Sequence, residues 1–352
     1  MTRPITGRVG PGLRRTAGAP APRRETAAEP GTVRIAVDLL GGDHAPAVVV
    51  DGALRACRAD PALHLLLVGP AEDADAVLDA LTPGDRCRVR TRSASVPPTR
   101  RAQTAGPTES GVRSAVLAVA EREADAAVSA GSTGATVTSA ALGLGRWPGV
   151  RRPALAAVLP TAAGRVVLLD VGATVDPDAQ TLAAHARLGS AYAHAVHGVA
   201  APRVGLLTIG SERGKGDRLR RAVPALLAGA DLPGGGRYAG LIEGVDVVRG
   251  GAADVAVTDG FTGNVLLKGL ETAYALVGPP GAEGDRLPRA AVLLGVAGTV
   301  VVCHGAATGE DLAAGIAHAA DLHRRRAVPA IAELANRTSS DRRSSDEVRY
   351  EQ

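Results

Sequence analysis

The chain has 352 residues, a formal net charge of +4, 45% hydrophobic residues and only 2% aromatic ones. That length suits one large α/β domain or two smaller ones, with an ordinary globular composition. The scarcity of aromatic residues argues against a nucleic-acid stacking surface, and no apolar run approaches the ~18 residues of a membrane span.

Residues 1–31 are basic, interrupted by Pro and Gly, and lack an apolar stretch. This predicts a disordered basic tail, not a secretory signal. From residue 32 to 334 short apolar runs alternate with amphipathic segments, which predicts a single α/β domain. VRIAVDLL (Val33 to Leu40), HLLLVG (His64 to Gly69), AAVSAG (Ala126 to Gly131), RVVLLDVG (Arg165 to Gly172), RVGLLTIG (Arg203 to Gly210), RYAGLIEG (Arg237 to Gly244) and ADVAVTDG (Ala253 to Gly260) read as strands. They are near-continuously apolar, as strands covered on both faces are. AVVVDGALRACRA, GVRSAVLAVAEREA and LAAHARLGSAYAHAV have helical spacing. The alternation predicts a three-layer α/β/α sandwich around a mostly parallel sheet. Residues 335–352 read as a mobile tail.

Nearly every strand ends in glycine and polar residues: DLLGGDHAP, VSAGSTGA, LDVGATVD, TIGSERGKG, LIEGVD and TDGFTGN. In a parallel sheet these loops are expected to converge on one edge. There the glycines let backbone approach a ligand and helix N-termini favour an anion. P-loop, dinucleotide, nucleophile-elbow and H-E-x-x-H motifs are all absent, so the sequence points to no metal and no cofactor. Cys57, Cys87 and Cys303 form no C-x-x-C pair, which suits a reducing cytoplasm. Of the histidines, His64 reads as structural within a strand. His185, His194, His197, His318 and His323 read as helix-surface residues, whereas His44 and His304 fall in strand-end loops. Asp259 is expected to cap a helix, and Phe261 to pack the turn after it.

Taken together, DLLGGDHAP, AVSAGSTGAT, LLDVGATVD, GLLTIGSERGKG, GLIEGVDV, VTDGFTGNVLLK and GTVVVCHGAA resemble the phosphate acyltransferases of the PlsX type, over roughly Val33 to Leu322. The resemblance implies a fold similar to phosphotransacetylases and isocitrate/isopropylmalate dehydrogenases. It also implies transfer of a fatty acyl group from acyl carrier protein to inorganic phosphate. The acyl phosphate would pass to a membrane glycerol-3-phosphate acyltransferase, and the enzyme would be a homodimer that binds no nucleic acid. Phosphate is already anionic at neutral pH and a thiol is a good leaving group, so positioning and oxyanion stabilisation suffice.

On that basis Lys215, Asn264 and His304 are the candidate catalytic residues. Lys215 would be the phosphate counter-charge. Gly41, Gly42, Asp43, His44, Ser129, Gly131, Ser132, Thr133, Gly134, Gly172, Asp259, Gly260, Thr262 and Gly263 are the candidate substrate-binding residues. Arg146, Arg151 and Arg152 are candidates for docking an acidic carrier protein. The chain departs from the family pattern at Ser132, at Thr174 and at Val302-Cys303. It also departs between Tyr274 and Pro288, where a long helical hairpin associated with dimerisation and membrane contact is usual. These departures keep open a non-catalytic acyl-ligand-binding or regulatory paralogue, and because no sequence feature fixes substrate chain length, a phosphotransacetylase using acyl-CoA is a second alternative.

Overall fold

The computed structural model describes residues 31–94, 107–212, 214–280 and 289–337. The expected tails lie outside these residues, except that the last helix continues through the first positions assigned to the C-terminal one. In chain order the elements are β1 (Val33–Asp38), α1 (Ala47–Ala59), β2 (Leu63–Gly69), α2 (Ala71–Ala80), α3 (Pro83–Arg86), β3 (Val89–Ser93), α4 (Pro107–Ala120), β4 (Ala126–Ser129), α5 (Thr133–Gly143), β5 (Ala154–Thr161) and β6 (Gly164–Leu169). Then follow α6 (Ala179–His197), β7 (Arg203–Leu207), α7 (Arg218–Ala228), β8 (Arg237–Ile242), α8 (Gly244–Arg249), β9 (Val255–Val257), α9 (Gly260–Val277), β10 (Ala290–Leu294), β11 (Thr299–Cys303), α10 (Gly309–Arg324) and α11 (Ala327–Asn336).

The strands form one sheet in the order β3-β2-β1-β4-β11-β10-β5-β6-β9-β7-β8. Alternate residues of each strand serve opposite layers. Ile35 and Val37 join a core completed by residues of α1, α6, α10 and α11. Ala36 faces a second core completed by α4, α5, α8 and α9. This is the expected α/β/α sandwich. Four strands lie beyond the seven read from sequence: β3, β5, β10 and β11. β3 is a short edge strand with charged, exposed positions, and β5 is alanine-rich, so neither carries the usual apolar signature.

Sheet direction corrects a second expectation. Pairing is parallel from β3 to β11, but β11–β10, β10–β5 and β5–β6 are antiparallel. β6, β9, β7 and β8 are mutually parallel. Three reversals leave this last group running opposite to β1, β4 and β11. The glycine-rich loops therefore leave strands of two opposed groups, and the two sets approach each other where Thr133 of the first lies against Gly172 of the second. In the first set Asp43 N–H donates to the Gly305 carbonyl at 2.7 Å, and Gly41 lies against Gly131 and Ser129. In the second set Gly260 N–H donates to the Thr174 carbonyl at 2.8 Å, and Ser211 N–H donates to Glu243 Oε1 at 3.2 Å.

Helix starts follow the capping chemistry of the sequence. The Asp178 side chain accepts from Thr181 N–H at 2.7 Å to open α6, which ends at Gly198 with φ of +66°, a conformation that favours glycine. Thr308 and Asp311 form a reciprocal capping box at the start of α10. His185 corrects the surface assignment. It is fully buried on α6, and its Nε2–H donates to the Arg152 carbonyl at 3.2 Å. His194, His197, His318 and His323 are half-buried.

Asp38, at the end of β1, is 1% exposed. It accepts from Ser129 Oγ–H at 2.7 Å and from Leu40 N–H at 3.1 Å. Burial raises its carboxyl to about 6, against the pull of those two bonds. A raised folded value means that the native state holds a proton the unfolded chain releases. This contribution to stability is fully present below the unfolded value of 3.8 and is lost as pH rises through about 6. Asp38→Asn removes the titration. Relative to the unaltered chain, the variant should gain about 2 kcal/mol of unfolding free energy between about pH 4.5 and about pH 7. Urea unfolding at the two pH values measures this, and a pH-independent difference would contradict it.

Candidate active site

A trough of about 510 Å³ lies between α9 and the sheet. Its floor is apolar: Leu155, Ala157 and Leu159 of β5, Ala291 of β10 and Val302 of β11. Its wall is one stripe of α9, Asn264, Lys268, Glu271 and Tyr274, at i, i+4, i+7 and i+10. That spacing puts all four side chains on one helix face. One end is closed by Gly131, Thr133 and Val171, and the other reaches Pro160, Pro279, Arg289 and the start of α10.

Asp259 sets α9 in place. Its side chain caps the helix, accepting from Thr262 N–H and Thr262 Oγ1–H, each at 2.8 Å. The expected role is therefore seen. Asp259 also forms an ion pair with Arg220 of α7, both side chains being 9% exposed. Arg220 donates as well to Thr258 Oγ1 at 2.9 Å. Burial pushes the Asp259 carboxyl up, but the Thr262 N–H and the guanidinium outweigh it and hold the group below the usual carboxylate range. The first turn of α9 packs so closely that a Cβ on Gly263 would collide with the Asp170 carbonyl. A Cβ on Gly260 would stand 2.8 Å from the Thr174 carbonyl oxygen. Phe261 does not pack the turn; it is 64% exposed.

The two loop sets meet at the near end of the trough. Asn264 Nδ2–H donates to the Val171 carbonyl at 3.0 Å. Gly172, with φ of +137°, lies where a Cβ would be 3.2 Å from Asn264 Nδ2 and 3.7 Å from the Thr133 methyl. The loop before Gly172 is clamped by buried Asp170, which accepts from the N–H groups of Gly172, Ala173 and Thr174 at 3.1, 2.9 and 2.6 Å. Thr174, one of the departures from the family pattern, is buried here and donates to the Pro153 carbonyl at 3.0 Å. Ser132, another departure, caps α5 by accepting from Ala135 N–H at 3.4 Å.

Midway along the trough His304 meets the wall. Its Nε2 stands 3.1 Å from Lys268 Nζ and 3.3 Å from Glu271 Oε2. Ala306 N–H donates to His304 Nδ1 at 3.1 Å. Ala306 N–H and Lys268 Nζ–H are both donors, one at each ring nitrogen, and an imidazole accepts from at most one of them. Burial pushes the Glu271 carboxyl up, and His304, Arg289 and Lys268 oppose that rise.

Of the residues singled out from sequence, Gly131, Thr133, Asn264 and His304 line the trough. Gly172, Gly260, Thr262, Gly263 and Asp259 shape its near end from behind. Gly41 and Ser129 pack around Asp38 and Gly131, a Cβ on Gly41 standing 2.7 Å from Gly131 N, and Gly42 lies against Ala130 and the Gly305 carbonyl. Asp43, His44, Ser132 and Gly134 are exposed and do not line it. Lys215 is not brought to the trough: it is exposed in the loop after β7, beside Gly210. Arg146, Arg151 and Arg152 are exposed, and Arg151 pairs with Asp178 at 3.1 Å. Sequence reasoning missed Lys268, Glu271, Tyr274 and the apolar floor. The signal that could have found the first three was the helical stripe running on from Asn264.

Cys303 also lines the trough, but burial pushes its thiol up to about 12. A thiol so held is a poor nucleophile at neutral pH. Among the described residues no cluster of three or more His, Cys, Asp or Glu could hold a metal ion. No helix among them is long and apolar enough to cross a membrane.

The α/β/α sandwich is a fold shared with solved enzymes of low sequence identity. The EutD phosphotransacetylase from Staphylococcus aureus superposes with a TM-score of 0.55 at 18% identity, covering 86% of this chain and 96% of that one. A 4-hydroxythreonine-4-phosphate dehydrogenase from Klebsiella pneumoniae gives 0.50 at 15% identity, covering 85% and 100%. These likenesses concern the fold alone. Residues 33–279 match the model of a family described as fatty acid synthesis protein. The phosphate acyltransferase of Thermobifida fusca is 41% identical over 318 residues, 81% of this chain and 85% of that protein. The chain belongs to the phosphate acyltransferase family, and its class of chemistry is acyl transfer.

Proposed function

We propose that the protein transfers a fatty acyl group from acyl carrier protein to inorganic phosphate. The observation that carries this reading is the trough itself, a cationic and amide-bearing wall facing a hydrocarbon floor. A phosphate oxygen attacks the thioester carbonyl, the carbon–oxygen bond forms, the carbon–sulfur bond breaks, and the electron pair leaves on the carrier's thiolate. The start of α5 at Thr133 offers backbone N–H groups without partners inside the helix, which suit the phosphate or the developing oxyanion. Lys268, not Lys215, supplies the counter-charge. Asn264 fixes the near end, and the His304 ring lies between Lys268 and the Glu271 carboxylate, with Nε2 at 3.1 and 3.3 Å from them.

Phosphate arrives as an anion and Cys303 is a poor nucleophile, so direct transfer without a covalent enzyme intermediate fits the residues present. In keeping with the family resemblance, the acyl phosphate passes to a membrane glycerol-3-phosphate acyltransferase, and the working enzyme is a cytoplasmic homodimer. The apolar floor favours this reading over a short-chain phosphotransacetylase. kcat/KM for palmitoyl-acyl carrier protein should exceed that for acetyl-CoA by about 100-fold or more, since each buried methylene is worth about tenfold or more in such a pocket. Equal values, or a preference for acetyl-CoA, would overturn the assignment of a fatty acyl carrier substrate.

A further inference from the structure

We infer that Tyr274 closes the far end of the trough and sets the length of acyl chain accepted, an inference that rests on the acyl-transfer reading above. The two ends of the trough differ in charge. The near end joins the start of α5 to Lys268, a combination that attracts an anion. The far end meets the start of α10, whose first turn holds the carboxylates Glu310 and Asp311, and the Arg289 guanidinium there already stands 3.9 Å from Asp311. The phosphate and thioester therefore belong near Asn264 and Lys268, and the hydrocarbon must run away from them.

The floor supplies a path for it. Ala157, Ala291 and Val302 are register neighbours across β5, β10 and β11, a row of small side chains beneath α9. The wall from Asn264 to Tyr274 spans about 15 Å at the helical rise of 1.5 Å per residue. At its end Tyr274 is half-buried, and its hydroxyl donates to the Pro160 carbonyl at 3.1 Å. Both residues line the trough, and the bond ties the ring to the last residues of β5. A chain terminus that reaches the ring meets a side chain held across the trough, with Pro160 and Pro279 beyond it.

The test measures kcat/KM for acyl carrier protein loaded with saturated chains of graded length, with the unaltered chain and with Tyr274→Ala, Tyr274→Trp and Tyr274→Phe. Tyr274→Ala should move the optimum to longer chains and Tyr274→Trp to shorter ones. The ratio of long to short substrate should change by about tenfold or more in each direction. Tyr274→Phe keeps the ring and should keep the length profile. A uniform loss for every chain length would show a structural role and overturn the inference, as would an unmoved optimum in all three variants. Absence of turnover by the unaltered chain with every acyl carrier substrate would overturn the acyl-transfer reading, and this inference with it.

Discussion

Replacing Lys268 with alanine should lower kcat for acyl transfer to phosphate by about 10²- to 10³-fold, the usual cost of removing one preorganised stabilising group. Lys268 is exposed on its outer side and makes no buried ion pair, so the variant should fold as the unaltered chain does. Its apparent KM for phosphate should rise, because the ammonium is the one lysine charge on the trough wall. Lys215→Ala is the internal control. That lysine stands in an exposed loop away from the trough, and its loss should leave turnover and phosphate dependence within about threefold. Initial rates across a phosphate series for both variants decide the matter. A large effect at Lys215 and none at Lys268 would reverse the assignment.

The largest expected effect on stability is at Arg220. Its ion pair with Asp259 is almost wholly buried, and the same guanidinium serves Thr258. Arg220→Ala strands the Asp259 carboxylate without its cation, a loss of about 3–5 kcal/mol for a buried pair. Because Asp259 caps α9, the loss falls on the helix that carries Asn264 and Lys268. The folded carboxyl of Asp259 is depressed, so its stabilisation is present above the unfolded pKa and is lost as pH falls through the folded one. Urea unfolding near neutral pH should show the full deficit, and the deficit should shrink as the solution is acidified. A deficit under about 1 kcal/mol at neutral pH would mean that water or another group compensates the carboxylate.

Much of the fold was legible in the sequence because strands such as β1 and β2 are apolar at nearly every position, which only a doubly covered sheet explains. The alanine-rich β5 and its pairing with β10 were not legible. Alanine carries no strand signature, and antiparallel pairing between segments more than a hundred residues apart leaves no local trace. The reversal of β6, β9, β7 and β8 followed from that same region, so loops that look alike in sequence leave strands of opposite direction. Asn264, Thr133 and Gly131 were legible because a glycine-rich turn before a helix invites a ligand. Lys215 was conspicuous for its flanking glycines. Lys268 was not, because a lysine inside a helix looks like any solvated face. Only its spacing from Asn264 and Glu271 marks the stripe. His185 shows the converse failure. On a helix of mixed composition its side chain reads as exposed, yet α7, α11 and the sheet enclose α6.

The most direct measurement is release of free thiol from palmitoyl-acyl carrier protein by the purified protein, with and without inorganic phosphate. Direct transfer in the trough predicts release that depends on phosphate and yields a product that hydroxylamine traps as the hydroxamate. Release of equal rate without phosphate, or tight binding of the acyl carrier with no release at all, would contradict it.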